Sequence, residues 1–224
     1  MANRTIGVAS LLGMLTALWA VFVYAPTEAT MGIVQRIFYF HVSAALMGFF
    51  AFFVVFVSSI AFLLKRDLAW DRIARCSAEI GVLFASINLA TGILWAKPIW
   101  GIWWTWDARL TLQLLLWILF VSYIMLGAYI AEPMKRAALQ AVFGILAFID
   151  VPINFMAIRW WRTQHPSPVI LGGEGSGLDI DMYIALIITM AAFMLLYTYL
   201  LGHRLAVERT QEEVEYFEQL VHSQ

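Results

Sequence analysis

The sequence predicts an all-α, polytopic membrane protein: a six-helix transmembrane bundle with a tryptophan-rich loop facing outward. Three observations predict it. Of 224 residues, 62% are hydrophobic and 13% charged, with a mean hydropathy of +0.81, whereas soluble domains are about a quarter charged. The apolar residues gather into runs of the length, about 20 residues, that a helix needs to cross a bilayer. The runs are also continuous, where a transmembrane β-barrel would use short alternating segments, and closed helices satisfy every backbone polar group in lipid.

Six such runs cover residues 5–25, 39–64, 76–96, 110–131, 137–158 and 180–202, each bounded by a charged or Pro/Gly-bearing break. The first has no small-residue cleavage site placed as in a secretory signal, so it is expected to be a retained helix. The fifth contains Pro152, which would free the carbonyl of Phe148 and kink the helix. It also carries Asp150 and Asn154. An intramembrane acid is a functional hypothesis by default. The favoured expectation is structural, with Asp150 bonding Asn88 or Gln113 on a neighbouring helix, and a proton relay is the alternative. After the sixth run, Val207, Val214, Phe217 and Val221 recur at heptad spacing among Glu212, Glu213, Glu215 and Glu218. That pattern predicts a cytoplasmic amphipathic helix, lying on its own bundle or docked on a partner subunit. The chain thus divides into a transmembrane domain, residues 1–202, and a tail, residues 203–224.

Orientation follows from the basic residues of the connections. One side collects Arg4, Lys65, Arg66, Arg72, Arg75, Lys135, Arg136, Arg204 and Arg209; the other has only Arg36, Lys97, Arg109, Arg159 and Arg162. The bias places both termini in the cytoplasm. A net charge of −1 gives no case for nucleic acid. The single cysteine, Cys76, makes neither an internal disulfide nor a CxxC pair, and there is no CxxCH sequence for attaching haem covalently.

The unusual chemistry lies in the outward connections. The first, 26–38, has room for a short amphipathic piece carrying Arg36. The second, 100–111, crowds Trp100, Trp103, Trp104, Trp106, Asp107 and Arg109 between two apolar runs. The third, 159–179, opens Arg159-Trp160-Trp161-Arg162, reaches His165-Pro166-Ser167-Pro168 and ends in Gly172, Gly173, Gly175 and Gly177. Tryptophans gather at both interfaces of any membrane protein. A belt spreads around a bundle, however, and these six indoles fall on one side, offering flat area and N–H donors suited to a porphyrin. Asp107 is expected to fix its loop through backbone or indole N–H groups, or to pair with Arg109. Arg109, Arg36, Arg159, Arg162 and Lys97 are all candidates to meet the carboxylates of an anionic ligand.

Four histidines occur. His203, at the inner end of the last run, and His222, in the tail, read as interfacial or solvated. His41, at the start of the second helix, and His165 both fall on the tryptophan side. Each alone would read as an interfacial or loop histidine. Together they flank the aromatic stretch, and neutral imidazole is an iron ligand.

The stretch Trp100-Gly-x-Trp-Trp-x-Trp-Asp-Ala-Arg-Leu-Thr111 resembles the "WWD" signature of the haem-handling proteins of cytochrome c biogenesis. The six-helix length, Phe38-Tyr39-Phe40-His41 and the His165 loop resemble its CcmC branch, haem exporter protein C, over about residues 5–202. The resemblance implies a bacterial inner-membrane protein that holds non-covalent haem b (iron protoporphyrin IX) at its periplasmic face and delivers it to the haem chaperone CcmE. In it, His41 and His165 would be axial ligands, and Trp100, Trp103, Trp104, Trp106 and Asp107 the platform and its support. The small subunit CcmD and the ATP-binding cassette pair CcmA/CcmB are the other partners it implies, with membrane lipid around them. Val42-Ser43 follows His41 where a proline is common in the family. The extra helices and histidine pair of the larger synthetase branch are absent, which argues against direct attachment of haem to an apocytochrome. A transmembrane haem transporter is the first rival, disfavoured by the lack of an internal repeat or paired broken helices. A haem lyase or a quinol-oxidising b-type cytochrome is the second. A binding and transfer protein is favoured over a turnover enzyme.

Overall fold

Six helical spans account for the chain in the computed structural model, which describes residues 2–165 and 177–222. Helix α1 (Ala2–Trp19) runs into a π-helical turn (Ala20–Tyr24). A 3₁₀ turn (Ile33–Arg36), the short piece expected around Arg36, leads into α2 (Ile37–Lys65). Then come α3 (Leu68–Trp100), α4 (Ala108–Ala128), α5 (Pro133–Phe148), α6 (Asp150–Trp160) and α7 (Ile180–His222). The pair α5 and α6 makes the fifth span. Pro166, Ser167, Pro168, Gly172, Gly173 and Gly175 lie outside the described residues, as do the side chains of Glu212, Glu215, Phe217, Val221 and His222.

Several boundaries differ from the sequence expectation, for physical reasons. Helix α3 begins eight residues before the apolar run at Cys76, because Asp67 caps it by accepting from Ala69 N at 2.9 Å. Its polar first turns are held by ion pairs that hydropathy does not register. Its other end continues past Lys97 and Pro98 to Trp100 and stops at Gly101, whose φ of +75° suits the left-handed cap. The tryptophan stretch is therefore part helix and part loop. The fifth span breaks at Ile149, one residue after the carbonyl that Pro152 was expected to free. The tail is continuous with α7, and its Val207 and Val214 are exposed.

Helix α2 is central. It packs along α3 and against α5 and α7, while α1 packs on α7. The main core joins Phe52 and Val55 of α2 to Ala78 and Ala85 of α3, Leu116, Phe120 and Tyr123 of α4, and Ala147 and Val151 of the fifth span. Large aliphatic side chains point outward instead, among them Leu11, Leu12 and Leu15 of α1 and Leu115, Ile118 and Met125 of α4. A soluble protein would not leave such surface in water; lipid accepts it.

Close approach of α2 and α3 depends on small residues, as bilayer helix pairs usually do. A Cβ added at Gly81 would stand 2.5 Å from Phe52 Cε1 and 3.1 Å from Ala51 Cβ. The Phe52 ring has no room to retreat, since it stacks on Phe120 at 3.6 Å. Gly81→Ala is expected to cost about 1–3 kcal/mol through overpacking, measured as earlier unfolding in a detergent titration.

Candidate functional site

The end of the bundle that carries the tryptophan loop also gathers the start of α2, the ends of α3 and α6, the start of α7 and the α1–α2 connection. His41 falls in the second turn of α2, not at its start, because the helix already begins at Ile37. Trp95, on the last turns of α3, meets the His41 ring edge-on, with centroids 5.7 Å apart. His165, five residues beyond α6, brings its ring to 6.4 Å from that of His41, the two planes 32° apart. These residues are 124 positions apart in sequence and become neighbours only in the fold.

Two cavities meet at this pair. The larger, about 780 Å³, lies among α2, α6 and the start of α7 beneath the α1–α2 connection; Phe38, Phe49, Phe155, Met182 and Met190 contribute apolar walls. The smaller, about 150 Å³, lies between the end of α3 and the tryptophan loop and is lined by Trp100, Trp104 and Ile99. Met31, His41, Trp95 and His165 line both. Met31 is set by a tight turn in which Glu28 accepts from Thr30 N at 2.8 Å and from Met31 N, and Gly32 adopts a φ of +60°. The larger volume falls in the range of small-molecule sites, about 300–1,000 Å³.

The tryptophans divide. Trp100 and Trp104 face the small cavity. Trp103 and Trp106, 53% and 76% exposed, lie on the surface, Trp103 beneath Lys97 Nζ. Trp160 ends α6, and both it and Trp161 are exposed and line neither cavity. Asp107 caps α4: one oxygen accepts from Leu110 N at 3.1 Å, the other from Thr105 Oγ1 at 3.0 Å. Of the two expectations for this acid, the backbone bond is the one formed.

Of the five outward bases, Arg109 is the one that lines either of these two cavities among the described residues. Its Nη1 donates to the Asn154 carbonyl and to Asn154 Oδ1 at 2.7 Å, and its guanidinium lies over Phe49. Arg36 instead donates to the Phe22 carbonyl at 2.8 Å, Lys97 to the Gly101 carbonyl at 2.8 Å, and Arg159 lies over Phe155. The expected bond from Asp150 to Asn88 or Gln113 is not formed. Gln113 accepts from Asn154 Nδ2 at 3.0 Å and Asn88 lies against His41, because each points from its helix toward a different neighbour than α6's first turn. Asp150 Oδ2 has no partner among the described residues.

Several residues of the site were not singled out by sequence reasoning: Gln35, Thr91 and Gly92, together with Asn88 in its role beside His41. Gln35 is 3% exposed and lines the larger cavity. The indole N–H groups of Trp95 and Trp104 are buried with no acceptor among the described residues. Nothing in the local sequence marks these positions, whose meaning comes from helix rotation.

Fold and site together define a multi-pass helical membrane protein with an aromatic, two-histidine cavity at one end of its bundle. Comparison with known families makes this specific. The CcmC family, "Heme exporter protein C", matches residues 1–219, and the chain belongs to it. Similar proteins include a "Heme exporter protein C" of Bradyrhizobium diazoefficiens, 33% identical over 173 residues, covering 77% of this chain and 66% of that protein. A "Heme exporter protein C" of Haemophilus influenzae is 29% identical over 192 residues, covering 86% and 78%. A "Putative cytochrome c biosynthesis ccmC-like mitochondrial protein" of Marchantia polymorpha is 31% identical over 191 residues, covering 83% and 81%. The chain thus spans just under two thirds of the first relative's length and about four fifths of the other two.

Proposed function

We propose that the protein handles haem for cytochrome c maturation, holding non-covalent haem b between His41 and His165 and passing it to the chaperone CcmE. The observation that carries this reading is the spacing of the two imidazoles. Ligands on opposite sides of one iron, with metal–nitrogen bonds of roughly 2 Å, hold their ring centroids about 6 Å apart; here the separation is 6.4 Å. A flat macrocycle between them would extend into the cavities on both sides.

The polar groups fit the same cargo. A propionate-bearing ring needs donors in an otherwise apolar site. Arg109 uses Nη1 for Asn154, which leaves its other guanidinium nitrogens, and Gln35 supplies an amide donor. Both line the larger cavity. Trp95 and Trp104 offer indole N–H donors at the smaller one. Cys76 is buried on α3 and lines neither cavity, in keeping with non-covalent binding. The iron and its ring supply the chemistry used later in the cytochrome; the protein supplies orientation, ligation and exclusion of water.

The basic-residue bias of the connections supports a site on the periplasmic side of the inner membrane, with both termini in the cytoplasm. Transfer to CcmE, and assembly with CcmD and CcmA/CcmB, belong to this proposal through family membership. The relatives' names, heme exporter and cytochrome c biosynthesis, agree with it. The test is reconstitution of the purified protein with haem in lipid nanodiscs. A Soret band with six-coordinate, low-spin features is expected, and organic extraction should release all the haem unmodified. A five-coordinate, high-spin spectrum at saturation would rule out ligation by the pair.

A further inference from the structure

Three residues of α3 meet the His41 ring from one helical face: Asn88, Thr91 and Gly92, at i, i+3 and i+4. Thr91 Oγ1 lies 3.1 Å from His41 Nδ1. It also lies 2.7 Å from the Ile87 carbonyl and 3.1 Å from the Asn88 carbonyl. A hydroxyl has one hydrogen, and a carbonyl oxygen only accepts. Two oxygens 2.7 Å apart with no hydrogen between them would repel, so the Thr91 hydrogen goes to its own helix. Its oxygen must then accept from His41, and the ring hydrogen sits on Nδ1. A neutral imidazole has one N–H, which leaves the lone pair on Nε2.

Asn88 does not compete for that lone pair. Its Nδ2 donates to the His41 carbonyl at 3.1 Å and stands 3.3 Å from Nδ1 and 3.3 Å from Nε2. An in-plane donor equidistant from both nitrogens would collide with ring carbon, so the amide lies over the ring face, an N–H···π contact. Gly92 completes the arrangement: a Cβ there would stand 3.1 Å from His41 Cε1, so the ring rests on bare backbone.

We propose that Asn88, Thr91 and Gly92 form a seat that selects the Nδ1–H tautomer of His41 and presents Nε2 as its ligating atom. They are positioning residues, acting on any ligand through His41. Their consequence for haem rests on the function proposed above, whereas the tautomer itself does not. Partners of this kind orient metal-binding histidines, and their loss typically costs about 10–100-fold in affinity.

The experiment uses ¹⁵N-histidine-labelled full-length protein in lipid nanodiscs, first without haem. The His41 signals, identified by their loss in His41→Ala, should show a protonated Nδ1 and an unprotonated Nε2. Thr91→Val, nearly isosteric, should move the ring toward the Nε2–H form, and Thr91→Ser should restore the wild-type pattern. A wild-type His41 protonated on Nε2, or a Thr91→Val spectrum unchanged from wild type, would overturn the seat. Haem titration of the same variants separates the two claims. Thr91→Val is expected to bind about 10–100-fold more weakly, and Thr91→Ser near wild type. A changed tautomer with unchanged haem affinity would uphold the seat and remove His41 from the iron.

Discussion

Replacing His165 with alanine is expected to abolish the six-coordinate, low-spin spectrum of the haem-loaded protein and to weaken binding by at least ~100-fold, since loss of a ligand should exceed the 10–100-fold cost of losing a partner that merely orients one. His165 and His41 are the two imidazoles that line the cavities among the described residues. Without His165, His41 remains in place, because its contacts to Thr91 and Asn88 do not involve the lost ring. The residual complex should therefore be five-coordinate and high-spin. His41→Ala should do at least as much damage, since it removes the ring that α3 holds in position. Added imidazole, small enough for the space each alanine leaves, should restore low-spin features in both variants. That rescue distinguishes a lost ligand from a lost fold. Unchanged spectra in both variants would sink the assignment of the pair as axial ligands.

The six spans were legible because lipid allows few solutions: an uninterrupted apolar run of bilayer length has to close its backbone bonds as a helix. The break in the fifth span was legible from Pro152 for an equally local reason. The start of α3 was not, because Asp71, Arg72 and Arg75 interrupt the apolar run that hydropathy follows. Those turns are stabilised by a cap and by ion pairs to residues distant in sequence. Within the site, His41 and the tryptophan run stood out by residue type. Composition did not separate Trp100 and Trp104, which line a cavity, from Trp103 and Trp106, which face outward. Thr91 and Gly92 look like ordinary helix filler until the rotation of α3 against α2 sets them beside His41. Arg109 was one of five candidate bases, and its place at the larger cavity depends on how α4 packs on α6.

At the opposite end of the bundle, Asp71→Ala is expected to destabilise the protein by about 3–5 kcal/mol, the usual cost of removing one member of a buried ion pair. Asp71 is 3% exposed and accepts from Arg75 Nε at 3.0 Å on its own helix and from Arg136 Nη2 at 3.4 Å on α5. Arg75 continues the chain of charges to Glu208 of α7, whose other oxygen takes Arg204 Nη1 at 2.7 Å. Arg204 in turn grips Glu79 of α3 with two bonds, at 2.6 and 3.0 Å. One network thus ties α3, α5 and α7 together at this end. Arg136 Nε has no partner among the described residues, so loss of Asp71 leaves that guanidinium with less still. Glu79, 37% exposed, provides the internal comparison: its pair is more open to water and screening than that of Asp71, so Glu79→Ala should cost less than Asp71→Ala. Denaturant titration in detergent measures both. Haem-loaded Asp71→Ala should keep the wild-type low-spin spectrum at saturation, because none of the network's residues lines either cavity. Equal stabilities for the two variants would mean that water reaches Asp71 freely, and the network would then count as surface charge with no part in holding α5 and α7 to α3.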